Sequence, residues 1–353
     1  MAEPDVNFGK QPFEFQQDRT QKKKKGAHAP VFAPLFSEKP STKLACNGVH
    51  IFINPYAGKK QGNRIAAKFI NDLQLTVDHI VQYHSQYAGH LIELAEKASI
   101  GDDEVIAVIG GDGTLCEVMS GRKQQNQDRK ERFAIIPAGT GNSHAYDLGI
   151  YTPEDGLSAL LSGVTQSIDL ARVHLTGGLP GNENGPIVRY SHNLVTWGLG
   201  VDSTIQAEKM RWLGPSRYDI GIVMAILRNK KRRATLSLDG KAVTDDFTLF
   251  LIQNTQTGGS MLPLAPGAQL DDGRMDIGIL RQMSRRQIFK AFGMLKKQGR
   301  HVFHPKVDYY TFNELTISTS EPTAINIDGE NIGSTPLTMC VEPASAHICV
   351  LSK

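Results

Sequence analysis

Residues 105–117 read Val-Ile-Ala-Val-Ile-Gly-Gly-Asp-Gly-Thr-Leu-Cys-Glu. Glycines in such a turn let backbone approach a ligand with no Cβ in the way. A helical pattern starts near Leu115, and a helix start offers unpaired N–H groups and a positive dipole end, which suits phosphate. The chemistry implied is therefore phosphate binding. An acidic residue inside a phosphate cradle repels the anion, so Asp112 needs a reason to stand there: a metal ion, or a proton to accept. The plainer reading is a tight turn with Asp112 as a helix cap.

Two further loops have the same character. The apolar run Val49 to Ile53 leads into Asn54-Pro55-Tyr56-Ala57-Gly58-Lys59-Lys60-Gln61-Gly62. The run Phe133 to Ile136 leads into Pro137-Ala138-Gly139-Thr140-Gly141-Asn142. Neither is a Walker A loop, because no Gly-Lys-Ser/Thr follows at the required spacing, and none of the three has the spacing of a dinucleotide fingerprint.

Positioning these loops requires three short buried strands, each followed by a helix. That predicts parallel strands whose carboxyl ends gather the loops, the place where open α/β sheets bind ligands. Residues 46–160 keep this alternation and form the expected α/β nucleotide-binding domain. From residue 161 the pattern changes to short alternating runs such as Ile168–Leu175, Ala234–Leu238, Phe247–Gln253 and Met275–Leu280, a mostly antiparallel β domain over 161–353 whose last strands are expected to return to the cleft between the lobes. Helical patterns interrupt it near 215–229 and 286–298. The expected fold is thus α/β with two lobes, an N-terminal three-layer α/β domain and a C-terminal mostly antiparallel β domain. Residues 1–45 are polar, carry Lys22-Lys23-Lys24-Lys25 and read as a disordered basic tail. A net charge of +3 over 353 residues does not argue for nucleic acid. The four cysteines, Cys46, Cys116, Cys340 and Cys349, show no zinc spacing and read as reduced thiols. No apolar run reaches a membrane span, and the expectation is a cytoplasmic protein.

Asn-Pro-x-x-Gly-Lys, Gly-Gly-Asp-Gly-Thr-x-x-Glu and Pro-x-Gly-Thr-Gly-Asn, in that order, resemble the diacylglycerol-kinase catalytic domain, a family covering diacylglycerol, sphingosine and ceramide kinases. The likeness continues through Trp197-Gly-Leu-Gly-Val-Asp202, Ala265-Pro266, Asp271-Asp272-Gly273, Lys297 to His301 and Ile327-Asp-Gly-Glu330. The segment Glu208 to Asp219, with Arg211-Trp212-Leu213-Gly214-Pro215-Ser216-Arg217, resembles the sphingoid-lipid branch, meaning ceramide and long-chain-base kinases. The resemblance spans roughly residues 47–351. It implies ATP as co-substrate, Mg2+, and transfer of a phosphoryl group to a primary hydroxyl of a sphingoid lipid. Such transfer needs mainly positioning and electrostatic stabilisation. By resemblance Asp112 takes the proton from the lipid hydroxyl. Asn54, Lys59, Ser85, Gly110, Gly111, Gly113, Glu117, Gly139 and Thr140 fall where the family contacts nucleotide. Arg211 and Arg217 fall on ATP phosphates, a role suited to guanidinium forks. Asp328 and Glu330 serve adenosine or magnesium, Asp328 being the one residue considered for the metal. Asp202, Thr204, Ile220, Val223, Phe289 and Phe292 are the expected lipid contacts, which makes 161–353 the expected lipid-binding domain.

Two departures stand out. Thr204 occupies a position where long-chain-base kinases carry a second aspartate for the substrate ammonium. A threonine cannot pair with a buried cation, which is costly to leave unpaired. This favours ceramide or diacylglycerol, although Asp202 stands close by in sequence. Gln61 replaces an often basic residue, which implies weaker nucleotide binding. Diacylglycerol kinase is the nearest enzyme alternative; an NAD kinase shares Gly-Gly-Asp-Gly but not the other segments; a catalytically inactive lipid-binding scaffold is the alternative of another class. The expected partners are a membrane lipid met by reversible surface association and, as an oligomeric form, a homodimer.

Overall fold

The computed structural model describes residues 30, 32–37, 46–178, 185–213, 216–259 and 261–352. The tail expected to be disordered lies almost wholly outside them. The first section alternates strand and helix: β1 (Gly48–Ile53), the short turn Ala57–Lys60, α1 (Gly62–Leu73), β2 (Ile80–His84), α2 (His90–Lys97), β3 (Glu104–Gly110), α3 (Asp112–Gln125), β4 (Arg132–Pro137), α4 (Ser143–Asp147) and α5 (Pro153–Ser162). β1, β3 and β4 are buried almost throughout, as strands of a parallel sheet covered on both faces must be. Their order is β4-β3-β1-β2, every neighbour parallel. All three glycine loops therefore emerge at one edge of one sheet. α5 starts with a capping box in which Thr152 accepts from the Asp155 amide and Asp155 accepts from the Thr152 amide.

The second section is antiparallel: β5 (Thr165–Gly177), β6 (Ile187–Ser191), β7 (Leu194–Gly198), β8 (Arg232–Leu238), β9 (Lys241–Gln253), β10 (Thr257–Gly258), β11 (Leu262–Pro263), β12 (Met275–Arg281), β13 (Val307–Phe312), β14 (Glu314–Ser318), β15 (Ala324–Ile327) and β16 (Glu330–Cys349). Three helices interrupt it, α6 (Leu199–Lys209), α7 (Ser216–Arg228) and α8 (Arg285–Lys296). The expected α/β lobe and antiparallel β lobe are both present. The finding beyond that expectation is their continuity. β16 runs antiparallel to β5 along most of its length, and its end pairs in parallel with β4 at His347–Arg132 and Ile348–Phe133. One fourteen-stranded sheet thus crosses both lobes. The β15–β16 hairpin turns on Asp328 and Gly329, both with positive φ, the conformation an Asp-Gly two-residue turn supplies. The helix expected to start near Leu115 starts at Asp112, with Gly111 as its cap residue.

Candidate functional site

The three loops are locked to one another before any ligand is considered. The Asn54 amide donates to the Ile109 carbonyl, and the Ala138 and Gly139 amides both donate to the Gly110 carbonyl. Asn54 Nδ2 donates to Thr114 Oγ1 at 3.2 Å, tying the first loop to the first turn of α3. Asn142 closes the third loop, its Oδ1 accepting from the Gly139 amide and its Nδ2 donating to the Gly139 carbonyl. A Cβ on Gly111 would stand 2.5 Å from the Gly141 carbonyl oxygen, and one on Gly139 would stand 2.6 Å from the Gly111 Cα. These glycines are needed for loop-against-loop packing as well as for approach to a ligand. In the first loop Gly58, Lys59 and Lys60 are all left-handed, which is unusual for the two lysines.

Asp112 is the first residue of α3 and is half-buried. Its carboxylate accepts from the backbone amides of Ser143, at 2.9 Å, and His144, at 3.3 Å. Burial raises its carboxyl above the ordinary range, against the opposing influence of His192 and the two amides. Behind it lies a buried histidine pair. His192 Nε2 stands 3.0 Å from the Asp112 carbonyl oxygen, and His192 Nδ1 stands 2.8 Å from His144 Nδ1. A carbonyl only accepts, so Nε2 of His192 carries a proton. The two Nδ1 atoms face each other, so one proton lies between the rings and joins them. Burial, with His192 beside it, holds His144 well below the usual histidine range, so it stays uncharged.

Asp328 is buried, and its own chain occupies its carboxylate. Oδ1 accepts from Ser191 Oγ and from the amides of Asn193 and Leu194, and Oδ2 accepts from the His192 amide. This carboxylate pins the β6–β7 turn, and through it His192, against the β15–β16 hairpin. Glu330 is different. It has an exposed edge and stands against Gly113, where a Cβ would come within 3.1 Å of its Oε1. Desolvation, then the nearby Glu117 and Asp328 charges, push its carboxyl up to about 7.

A cavity of about 870 Å³ joins these groups. Its polar end is bounded by Asn54, Lys59, Gly111, Asp112, Thr140 and Glu330. Its other end is apolar, bounded by Ile222, Leu249, Leu251, Leu264, Phe292 and Leu295. Arg217 borders the cavity with its guanidinium over the Tyr218 ring at 4.7 Å and donates to Tyr218 Oη at 2.8 Å.

The structure brings Asn54, Lys59, Gly111, Asp112, Gly113, Gly139, Thr140, Thr204, Arg217, Phe292, Asp328 and Glu330 to this cavity. Gly110 lies just behind, its carbonyl holding the third loop. The side chain of Arg211 lies outside the described residues. Ser85 and Glu117 are buried elsewhere: Glu117 accepts from the Gly89 amide at 2.9 Å and so serves the start of α2. Asp202 is not brought to the cavity. Arg232 reaches both its oxygens at 2.7 Å, with Lys230 at 4.0 Å. Ile220, Val223 and Phe289 are exposed and are not among the residues that line the cavity. The cavity faces of α7 and α8 instead carry Ile222, Phe292 and Leu295, because Gly221 packs α7 against the Ser203 carbonyl of α6 and so sets its rotation. His144, His192 and Asn193 escaped sequence reasoning, since none sits in a motif whose spacing singles it out; Tyr218 lies in the Glu208–Asp219 segment, but its contact with Arg217 was not foreseen.

Comparison with known proteins agrees with this architecture. Residues 48–173 match the family described as Diacylglycerol kinase catalytic domain, and residues 193–350 match the YegS C-terminal NAD kinase beta sandwich-like domain. A diacylglycerol kinase of Mycobacterium tuberculosis (strain ATCC 25618 / H37Rv) is 30% identical over 304 residues, covering 84% of this chain and 92% of that one. One from Bacillus subtilis (strain 168) is 26% identical over 291 residues, covering 81% and 90%. The crystal structure of a diacylglycerol kinase from Bacillus anthracis str. Sterne superposes with a TM-score of 0.69 at 21% identity, covering 86% of this chain and 97% of that one, and shares the fold. With the loops, the cavity and both domains accounted for, the chain belongs to the diacylglycerol kinase family and is an ATP-dependent lipid kinase.

Proposed function

We propose that the acceptor is an amine-free lipid with a primary hydroxyl, and that Asp112 is the group that takes its proton. The observation that carries the acceptor reading is the state of the two residues nearest the expected ammonium position. Thr204 faces the cavity as a hydroxyl whose single proton has two acceptors in reach, the Val201 carbonyl at 2.9 Å and Asn331 Oδ1 at 3.1 Å. Asp202 is already neutralised by Arg232. An ammonium beside Thr204 would find neither of these two residues able to serve as its counter-charge. The segment around Arg211 to Arg217 supports a ceramide-type acceptor. The second reading, diacylglycerol, is supported by the names of the relatives. Both are neutral and both fit a cavity whose far end is apolar.

Lys59 and Arg217 are the cations placed to meet ATP phosphates, together with the first-turn amides of α3, which a helix leaves without intrahelical acceptors. Mg2+ would neutralise phosphate charge and needs a carboxylate with free lone pairs. Glu330 fits, since it lines the polar end of the cavity against Gly113, where a cation would offset its desolvation and then the repulsion from Glu117 and Asp328. Asp328 fits poorly, its oxygens being occupied by four donors of its own chain.

The test is labelled ATP offered with ceramide, diacylglycerol, monoacylglycerol and sphingosine in mixed micelles, at fixed pH and ionic strength. Ceramide or diacylglycerol is expected to be phosphorylated faster than sphingosine. Thr204→Asp is expected to move the ratio toward sphingosine by adding the missing counter-charge. A wild-type preference for sphingosine overturns the neutral-acceptor reading.

A further inference from the structure

A second polar cluster sits at the opposite end of the parallel sheet, on residues the kinase site does not use. Gly48 is the first residue of β1 and is in register with Glu104, the first residue of β3. Val49 is in register with Ile80, so His79, just before β2, stands on the other side of Gly48. His79 and Glu104 thus flank a position with no side chain. A Cβ there would be 2.8 Å from both His79 Nδ1 and Glu104 Oε1. His50, two residues along β1 and on the same face, closes the group. His50 Nε2 lies 3.0 Å from Glu104 Oε2, and His79 Nδ1 lies 2.9 Å from Glu104 Oε1. All three donor atoms fall within 4.8 Å of one another.

We propose that His50, His79 and Glu104 form a binding site for a divalent transition-metal ion of the zinc class, clipping the edge strand β2 to β1 and β3. Two imidazole nitrogens and one carboxylate suit such an ion, whereas Mg2+ and Ca2+ favour oxygen ligands. Bonds of about 2.0–2.2 Å in a tetrahedral site put neighbouring donor atoms a little over 3 Å apart; the two nitrogen–oxygen spacings already match this, and the two nitrogens, within 4.8 Å of each other, would draw together on binding. Groups behind the ligands hold them in place, as such sites require. Tyr83 Oη stands 3.1 Å from His50 Nδ1, and the Gly101 amide donates to Glu104 Oε2 at 2.5 Å. His79 is 59% exposed, so solvent reaches the site and water completes the coordination.

The test is titration of the tag-free, reduced full chain with zinc against a chromogenic chelator, repeated with cobalt for its absorption spectrum. The wild type is expected to bind one equivalent, with a cobalt spectrum lacking a thiolate charge-transfer band. His79→Ala and Gly48→Ala are expected to weaken binding at least tenfold, the first by removing a ligand and the second by filling the hole. Cys340→Ser, which alters an exposed thiol, is expected to change nothing. His79 is exposed, so its variant keeps the test meaningful should Gly48→Ala fail to fold. Kinase turnover of His79→Ala is expected to match the wild type. Failure of the wild type to bind, equal binding by His79→Ala, or loss of binding in Cys340→Ser overturns the proposal, and none of these bears on the lipid kinase reading.

Discussion

At the scale of single residues, the role proposed for Asp112 makes two demands that its surroundings set in opposition. It must accept a proton, and burial has already raised its affinity for one. The base works unprotonated, so activity is lost as pH falls through the raised value. The acid limb of kcat is therefore expected above the ordinary carboxylate range; a limb near pH 4 would remove Asp112 from the rate equation. Asp112→Asn keeps the shape, but an amide oxygen can accept from only one of the Ser143 and His144 amides while the NH2 faces the other. A loss of about 1 kcal/mol of stability is expected from that mismatch. Turnover is expected to fall by at least the ~10²–10⁴ of a lost general base, measured on protein shown to be folded. Near-normal turnover in a folded variant would sink the assignment. The aspartate, the glycines and their order were legible in the sequence because they sit in one contiguous turn. The histidine pair behind Asp112 was not, since His144 and His192 are 48 residues apart and meet only when β6 folds back over α3.

At the scale of elements, α3 shows why periodicity alone underdetermines a helix. Ten of its residues are buried, so it presents no polar face, and Arg122 is carried inside with it. The cost of burying that cation is offset by a fork onto Glu131, at 2.9 Å from Nε and 2.6 Å from Nη2, and by bonds from Nη1 to the Ala95 and Ala98 carbonyls. These join the end of α3 to α2 and to the approach of β4. Arg122→Met leaves the buried Glu131 carboxylate with only the longer contact to Arg129 Nη1 at 3.4 Å and is expected to cost about 3 kcal/mol in urea unfolding. Adding Glu131→Leu should recover part of that loss, because the stranded charge is then gone. If the double variant is as unstable as the sum of the singles, the pair is not the coupled unit described. The same limit explains the lipid contacts. The existence of α7 and α8 could be read from their apolar spacing. Their rotation could not, because apolar residues surround α7 and the choice of face rests on Gly221 meeting a carbonyl of α6. Ile220, Val223 and Phe289 look like lining residues by type, yet packing turns them outward.

At the scale of the molecule, two sections with different strand patterns were legible, but their union into one sheet was not. The union rests on β16, twenty residues long, whose partners β5 and β4 lie more than 150 residues earlier. No local pattern encodes so distant a pairing. The long sheet also buries Asp276 on β12, between Gln253 of β9 and Thr311 of β13. Burial pushes its carboxyl up to about 8, with the Tyr309 hydroxyl opposing that shift. The folded state therefore holds a proton that the unfolded chain, titrating near pH 4, has released. Stability from this group is full below pH 4 and falls as pH rises, reaching its floor above about pH 8. The slope in between is about 1.4 kcal/mol per pH unit. Asp276→Asn replaces the neutral acid by a neutral amide and removes the slope. Urea midpoints at pH 6 and pH 8.5 should diverge in the wild type by roughly 2–3 kcal/mol more than in the variant. Equal pH dependence in the two proteins would show that Asp276 is ionised at both pH values. With Asp112 as the proposed base, the kinase meets opposite limits from two aspartates, the half-buried Asp112, which works without its proton, and the buried Asp276, whose proton stabilises the sheet. Activity should rise with pH through the first limit, and folded protein should be lost through the second. In Asp276→Asn only the alkaline limit should move.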